Sequence, residues 1–453
     1  MQENILGKEK ISKLFIKFSI PAIIAMLISG MQIVIDGIFV GNFIGANAMA
    51  SISIGAPFIQ LVIGFSMLVS VGALSYMGRS LGEGNTDLTK DIFKTSVILL
   101  SVVSFILSII GFLFNENISS LLGANYVLIE NVANYIKIIS LCVLPMSLAF
   151  LFGFSDRLIE KPDLYFKGMI LSLIINITLN YILIKQLEFG IIGAALATGI
   201  SYSSVFLIVL GPMINKKNII NIFVGKFNKK TIIPIIYNGS SEAIGSLASA
   251  TSAYLFNMSF INIIGESGVA AFTSINYIAQ FGTLIVFGIA DGIGSILSYN
   301  YGAKNFDRVK RTFSLAVKIS LVIGTLTFIT LFFFSKNLVT LFTSSNPEVL
   351  EIAIAGSKLY AFAFLLNGFN TISSSYFTAI GYAKESVIIA SCHGLIFIIL
   401  GISILPKLFA INGIWLTVPF AEIMTLFISF RLITKFKLSS EDNISLENEV
   451  INS

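Results

Sequence analysis

The stretch GRSLGEGNTDLTKDIF (residues 78–93) returns 220 positions later as SYNYGAKNFDRVKRTF (residues 298–313). The two copies share a glycine, an asparagine, an aspartate, a lysine and a phenylalanine at one spacing: Gly82/Gly302, Asn85/Asn305, Asp87/Asp307, Lys90/Lys310 and Phe93/Phe313. The same shift pairs Gln60 with Gln280 and Gly72 with Gly292. Because recurrence at a fixed shift indicates an internal repeat, the 453-residue chain is predicted to consist of two related halves.

Long apolar segments fill both halves, six in each. Each has roughly 20 or more residues, the length that an α-helix needs to cross about 30 Å of hydrocarbon. The chain is 55% hydrophobic and 12% charged, with a mean hydropathy of +0.90, whereas about 25% of the residues in a soluble protein are charged. The predicted fold class is an all-α integral membrane protein with twelve transmembrane helices in two pseudo-symmetric six-helix bundles.

An even number of spans in each half means that both halves enter the membrane in the same orientation, as in transporters with parallel repeats. The predicted organisation is an N-terminal six-helix lobe at 1–213, a basic cytoplasmic linker at 214–233, a C-terminal lobe at 234–437 and a polar cytoplasmic tail at 438–453. Residues 8–30 resemble a signal peptide but lack a small-residue cleavage site, so we interpret them as an uncleaved first span.

The distribution of lysine and arginine predicts the orientation. With the N-terminus in the cytoplasm, most basic residues of the loops fall on the cytoplasmic side, and the opposite side holds Lys137, Lys185, Lys336, Lys358 and Lys407. Positive charge accumulates on the cytoplasmic side of membrane proteins. Both termini are therefore predicted to be cytoplasmic. Because the basic residues are scattered through loops, the net charge of +5 does not indicate nucleic-acid binding.

Four acidic residues lie deep in the apolar segments: Asp36, Glu242, Asp291 and Glu422. The deepest basic residues, Lys137 and Lys358, lie near span ends, where their side chains can reach water. Ionisable groups at membrane depth are costly and usually functional. This asymmetry predicts a cation as cargo, as coupling ion or as both.

Asp36 can bind a cation, hold a proton, or be satisfied by hydroxyl and amide groups; the structural alternative is a cap at a helix break beside Gly37. Asn176 and Asn180 lie one helical turn apart and share a face. Their amide oxygens, with the Thr198 hydroxyl, are suitable ligands for a small cation such as Na⁺. Hydrogen bonding between helices is the alternative role of these three residues.

The second half contains further polar positions. Glu242 lies in a span rich in serine, glycine, alanine and threonine, and Asn367 and Asn370 lie in a similar segment. Small and hydroxylated residues permit close helix packing and also line wet cavities. Asp291 either holds a helix break among glycines or serves as a second relay. Substrate or relay roles are predicted for Glu242, Asp291, Gln280, Asn367 and Asn370.

Cofactor chemistry is not indicated. The cysteines, Cys142 and Cys392, are far apart, and the single histidine, His393, is interpreted as a polar residue between helices. The chain has no nucleotide-binding loop of the G-x-x-x-x-G-K-[ST] type. Energy must come from an ion gradient or from a partner.

Four motifs together resemble a known family. IDGIFVGNFIG (35–45), GRSLGEGN (78–85), YNGSSEAIG (237–245) and YNYGAKN (299–305) are similar to segments of the multidrug and toxic compound extrusion (MATE) transporters, in particular the branch of low-GC Gram-positive bacteria. The resemblance covers nearly the whole chain. It implies an antiporter of the bacterial inner membrane that exports amphipathic organic cations in exchange for Na⁺ or H⁺ by alternating access. Because the twelve spans carry no dedicated oligomerisation motif, the chain is expected to be a monomer.

The resemblance also implies a cation site. The family's site in the first lobe maps onto Asp36, Asn176, Asn180 and Thr198, although position 180 is often aspartate in the family. A carboxylate matching Glu242 occurs in some members. Others add an acid in the tenth span, where this chain has Asn367 and Asn370, so a complete second ion site is not expected.

The alternative functions are a flippase and an integral-membrane enzyme. A flippase for lipids or lipid-linked oligosaccharides has the same superfamily architecture, but its pyrophosphate cargo favours a basic cavity. An integral-membrane enzyme requires clustered histidines, cysteines or paired acids near a membrane face, and the sequence contains no such cluster.

Overall fold

A computed structural model of the chain describes residues 4–340 and 347–451, with side chains up to residue 436. The described chain folds into twelve long helices, with π-helical turns inside α5 and α11 and a 3₁₀ turn inside α10. They are α1 Ile11–Phe43, α2 Ala46–Gly82, α3 Thr86–Leu113, α4 Ile129–Leu158, α5 Asp163–Gln186, α6 Gly190–Ile214, α7 Lys229–Ile263, α8 Glu266–Gly302, α9 Phe306–Phe333, α10 Pro347–Ile380, α11 Ala383–Phe409 and α12 Ile411–Ile451. Short helices cover Ile5–Lys8, Asn115–Leu121 and Ser335–Val339.

Eleven of the long helices within the described ranges are long and apolar enough to cross a membrane. The remaining one, α7, has 35 residues, but it carries Asn238, Ser240, Ser241 and Glu242 within two turns. Its polar composition, and not its length, separates it from the other eleven. The predicted all-α membrane fold is confirmed.

The chain divides into two compact units that combine separate stretches of sequence. Unit 1 extends to Ser246 and includes Phe287–Ala316 and Thr378–Ala383. Unit 2 comprises Leu247–Val286, Val317–Phe377 and the chain from Lys384 onward. The unit boundaries therefore fall inside several long helices, and the four-part domain organisation given above stays a prediction.

Helix α4 is the centre of unit 1. It packs against α2, α3 and α6, and two thirds of its most apolar window is buried. Large side chains such as Phe93, Phe152 and Met169 fill the space between these helices. Because α4 has neighbours on most of its surface, it needs apolar residues on nearly every side, as its sequence provides.

The core of unit 2 is aromatic. Trp415 on α12 is 1% exposed, and its ring lies 4.7 Å from that of Phe260 and 6.0 Å from that of Phe272. Gly356 on α10 faces the indole so closely that a methyl group there would overlap the ring. The single tryptophan thus joins α7, α8, α10 and α12 at one point.

Glycines of the repeated motif allow α2 and α8 to cross in close contact. A side chain at Gly82 would overlap the backbone of Tyr299, and one at Gly302 would overlap the backbone of Arg79. Positions 79 and 299 differ by the same 220 residues as Gly82 and Gly302, so the crossing is symmetric about the repeat. All four residues belong to unit 1. The repeat therefore preserves a contact between backbones that only glycine permits.

Gly72 and Gly292 follow the same rule. A methyl group at Gly72 on α2 would overlap the carbonyl oxygen of Ile235 on α7. A methyl group at Gly292 on α8 would overlap the backbone of Ser19 on α1. Helices α1 and α7 are the first helices of the two halves. The second helix of each half therefore packs against the first helix of the other half.

Replacement of Gly82 by leucine should destabilise the protein, because the side chain has no space against the α8 backbone. Overpacking costs about 1–3 kcal/mol where the surroundings can relax, and a backbone contact relaxes little. Gly211→Leu is the control, since Gly211 lies on exposed α6 surface with no heavy atom near its Cβ position. Thermal unfolding of detergent-solubilised protein measures both. Equal melting temperatures for the two variants would contradict the close crossing.

Candidate functional site

Asp36 lies on α1 and is surrounded by side chains of α5 and α6. The amides of Asn176 and Asn180 donate to Asp36 Oδ1 at 2.9 and 2.7 Å, and the hydroxyl of Thr198 donates to Oδ2 at 3.0 Å. Asn180 also donates to Asn176 Oδ1 at 3.3 Å. The structure therefore brings together the four residues of the predicted cation site. Their role in binding a cation stays a prediction.

The shape of α5 explains how both asparagines reach one oxygen. Asn176 and Asn180 are four residues apart and therefore lie on one helix face, and the helix changes to π-helical hydrogen bonding at Asn180–Gln186. Such turns widen a helix locally and occur often at functional sites. One turn before Asp36, Gln32 donates to Ser172 at 2.9 Å and ties α1 to α5. Two of the three helices that form the site are thus held together beside it.

The partners of Asp36 are all neutral. Asn176 and Asn180 are 1% and 0% exposed, and Thr198 is 8% exposed. Tyr135 and Tyr202 are the titratable groups that interact electrostatically with Asp36, and no lysine or arginine in the described ranges pairs with it. The Asn180 Oδ1 atom is buried without a hydrogen bond. A buried, unpaired oxygen beside a carboxylate is a suitable additional ligand for a cation.

Asp291 has a basic partner, contrary to the expectation that the deep acids stand apart from bases. Arg157, at the end of α4, is 3% exposed and donates to the backbone carbonyl of Asp291 at 2.5 Å. Its Nη2 lies 3.9 Å from Asp291 Oδ2, and its guanidinium lies 4.4 Å from the ring centre of Phe154. Arg157 lies at the end of its span, a position from which the sequence alone does not predict burial. Its burial follows from packing against a distant helix, which the local sequence does not reveal.

Glu242 lies on α7, half-buried and in unit 1 with Asp291. The two carboxyl groups interact electrostatically, and within the described residues the Glu242 carboxylate makes no hydrogen bond or ion pair. Gln280, another predicted candidate, is exposed on α8 and belongs neither to the cluster around Asp36 nor to the one around Glu422. Glu242 therefore fits the predicted role of an acid that can interact with a cation better than Asp291 does, because Asp291 is paired with Arg157.

A second cluster forms around Glu422 in unit 2. Asn367 and Asn370 on α10 donate to Glu422 Oε1 and Oε2 at 2.9 and 2.8 Å. The imidazole Nδ1 of His393 on α11 lies 3.3 Å from Glu422 Oε1. Sequence reasoning named the two asparagines and identified Glu422 as a deep acid, but it did not connect them, because Glu422 is some 50 residues away. The three-residue spacing of Asn367 and Asn370, which places them on one face, was the available signal.

Neither cluster has the composition of a transition-metal site, because no group of three histidine, cysteine or acidic residues converges in the described ranges. The oxygen-rich surroundings of Asp36 fit an alkali cation or a proton instead.

Comparison with known proteins agrees with this architecture. The chain shares 26% identity with the multidrug export protein MepA of Staphylococcus aureus over 92% of each chain. It shares 26% identity with MepA of Staphylococcus haemolyticus over 94% of each chain. Both alignments span both halves of the repeat.

Solved structures share the fold. A MATE transporter in complex with MaL6 superposes with a TM-score of 0.91 at 21% identity, covering 97% of this chain and 98% of that one. A transporter of the MOP superfamily from Pyrococcus furiosus, described as having a binding pocket of reverse polarity, gives 0.89 at 21% identity, covering 96% and 97%. The MatE family profile matches residues 21–182 and 243–403. The chain therefore belongs to the MatE family and is a multi-pass membrane transporter, not an enzyme.

Proposed function

We propose that this transporter is an antiporter that exports amphipathic organic cations in exchange for Na⁺ or H⁺. The observation that carries the proposal is the Asp36 carboxylate, which has three neutral hydrogen-bond partners and, among the residues that the structure describes, no basic one. A cation can bind there or leave without an ion pair being broken. The cargo class is supported by the relatives named as multidrug export proteins.

In the proposed mechanism, the coupling cation and the cargo favour different conformations of the transporter. Such a shift requires each ligand to have different affinities for the two conformations. Cation binding at Asp36 neutralises its charge and weakens the hydrogen bonds that hold α5 and α6 around it, because amide and hydroxyl donors bind a charged acceptor more strongly. The packing of these helices then depends on the occupancy of the site.

We also propose a residue that binds the cargo, an oligomeric state and an orientation in the membrane. Glu242, which has no basic partner within the described part of the chain, is proposed to meet the positive charge of the cargo. The chain is proposed to act as a monomer in the bacterial inner membrane, with both termini in the cytoplasm and with its two sequence halves as the moving lobes. An anionic lipid-linked cargo is disfavoured by the acidic clusters, because like charges repel in a medium of low dielectric constant.

Asp36→Asn should strongly reduce cation-driven export while leaving the fold intact, because asparagine keeps the shape of the side chain and removes its charge. We expect export of a fluorescent quaternary cation from proteoliposomes to fall roughly 5- to 150-fold, the usual range of a coupling free energy. The measurement is dye movement under an imposed Na⁺ or proton gradient, with each gradient tested alone.

Asp163→Asn is the matched control. Asp163 is a half-exposed carboxylate that pairs with Lys167 at 2.5 Å, one helical turn away. Exposed pairs of this kind contribute little to stability, so this variant should transport normally. Gradient-driven export by Asp36→Asn at the wild-type rate would exclude Asp36 from the coupling mechanism.

Asn180→Asp should make transport more dependent on Na⁺. The new carboxylate would lie at the position of the amide group, 2.7 Å from Asp36 Oδ1, and a higher ligand charge strengthens the binding of a metal cation. We expect the Na⁺ concentration for half-maximal export to fall by about tenfold, equivalent to ~1.4 kcal/mol. Asn42→Asp on the exposed part of α1 is the control for added charge. An unchanged Na⁺ dependence in Asn180→Asp would place Na⁺ binding elsewhere.

A further inference from the structure

Glu422 is the most deeply buried of the four predicted acids, with 1% of its surface exposed. Its carboxylate accepts from Asn367 and Asn370, and Asn370 also donates to the Glu422 backbone carbonyl at 3.0 Å. Asn370 is fixed in turn by Ser429, which donates to its Oδ1 at 3.0 Å. Glu422 is therefore held rigidly by amides and by one further group, the imidazole of His393.

His393 reaches Glu422 from a distorted part of α11. The helix adopts π-helical hydrogen bonding over Cys392–Ile396, a feature that is rare and concentrated at functional sites. The imidazole Nδ1 lies 3.3 Å from Glu422 Oε1, an ion-pair distance, but it is not aligned to form a hydrogen bond with it. The His393 side chain is 30% exposed. One edge of the ring thus approaches the carboxylate, while another part of the ring lies at the protein surface.

The imidazole beside Glu422 favours a proton over a metal cation. The carboxylate oxygens of Glu422 accept from asparagine amides, as Asp36 does, so the amides alone do not select the cation. An imidazole beside a carboxylate can instead take up a proton and become imidazolium, whose charge the carboxylate balances. With the Nδ1 atom facing Glu422, the Nε2 atom is the one available to accept the proton.

Other titratable groups do not compete closely for this role. Tyr360 on α10 is the further titratable side chain in the described ranges that interacts electrostatically with Glu422. The charged side chains of α10, α11 and the described part of α12 are exposed or half-exposed: Glu348, Glu351, Lys358, Lys384, Glu385, Lys407, Arg431 and Lys435. His393 and Glu422 thus form a carboxylate–imidazole pair inside unit 2.

We propose that Glu422 and His393 form a second proton-binding site, in which one proton from water binds to the imidazole beside the buried carboxylate. The proposal goes beyond the function proposed above, because proton binding in unit 2 does not require Asp36 to couple transport. It also revises the expectation that the second half lacks a complete ion site. The missing acid of the tenth span is supplied by α12.

The single histidine makes the test specific to this site. Full-length protein labelled with ¹⁵N-histidine, purified without a histidine tag and reconstituted in lipid nanodiscs, gives the NMR signals of His393 alone. We expect the imidazole to change reversibly between neutral and protonated forms in the range of about pH 5 to 8, where histidine titrates in proteins. In Glu422→Gln the imidazolium signal seen at about pH 6 should be lost, because the balancing carboxylate is removed.

Asp36→Asn is the control that separates the two proposals, since it should leave the titration of His393 unchanged even if it abolishes transport. A wild-type imidazole that stays neutral over the whole range would overturn the proposal, and this result does not depend on any variant folding. An imidazolium signal that survives unchanged in folded Glu422→Gln would also overturn it. Size-exclusion chromatography confirms folding of each variant.

Discussion

The burial of carboxylates among neutral hydrogen-bond donors is the constraint on which the polar organisation of this protein depends. A charge in a medium of low dielectric constant must be paired, solvated or neutralised. Asp36 and Glu422 are each solvated by two asparagine amides and one further group. Asp291 is instead paired with buried Arg157. Removing one partner of a buried ion pair leaves an uncompensated charge, so the amide-held carboxylates are better suited to bind and release a cation.

The two halves preserve their contacts between backbones but not their chemistry. Gly82 and Gly302 make equivalent close contacts, as the repeat requires. By contrast, the carboxylate of one cluster lies on the first helix of its half and that of the other on the last. Both clusters nevertheless use the fifth helix of a half, and each does so at a π-helical segment, Asn180–Gln186 or Cys392–Ile396. A wider turn in that helix thus accompanies each cluster, while the residues themselves differ.

The sequence predicted the features that depend on local pattern. The length of the apolar segments predicted the helices, and the spacing of Asn176 and Asn180 placed two amides on one face. The residue types added the Thr198 hydroxyl to this set, and the resemblance connected the set to Asp36, which lies on another helix. The Glu422 cluster was not predicted, because no local pattern connects α10, α11 and α12. The burial of Arg157 could not be predicted for a related reason: it lies at the end of α4, and packing against α8, which is distant in sequence, buries it.

Two cation sites would help to explain how a transporter of this kind could switch completely. Moving a two-state equilibrium from 1:99 to 99:1 requires about 5.5 kcal/mol of differential binding. A single site typically supplies 1–3 kcal/mol of coupling, which is less than this requirement. Protonation of the pair in unit 2, added to cation binding at Asp36 in unit 1, would approach it, because contributions from separate sites add when the sites share no partners. One amide-held carboxylate in each unit would therefore supply more of the differential binding free energy that complete switching requires than a single site can.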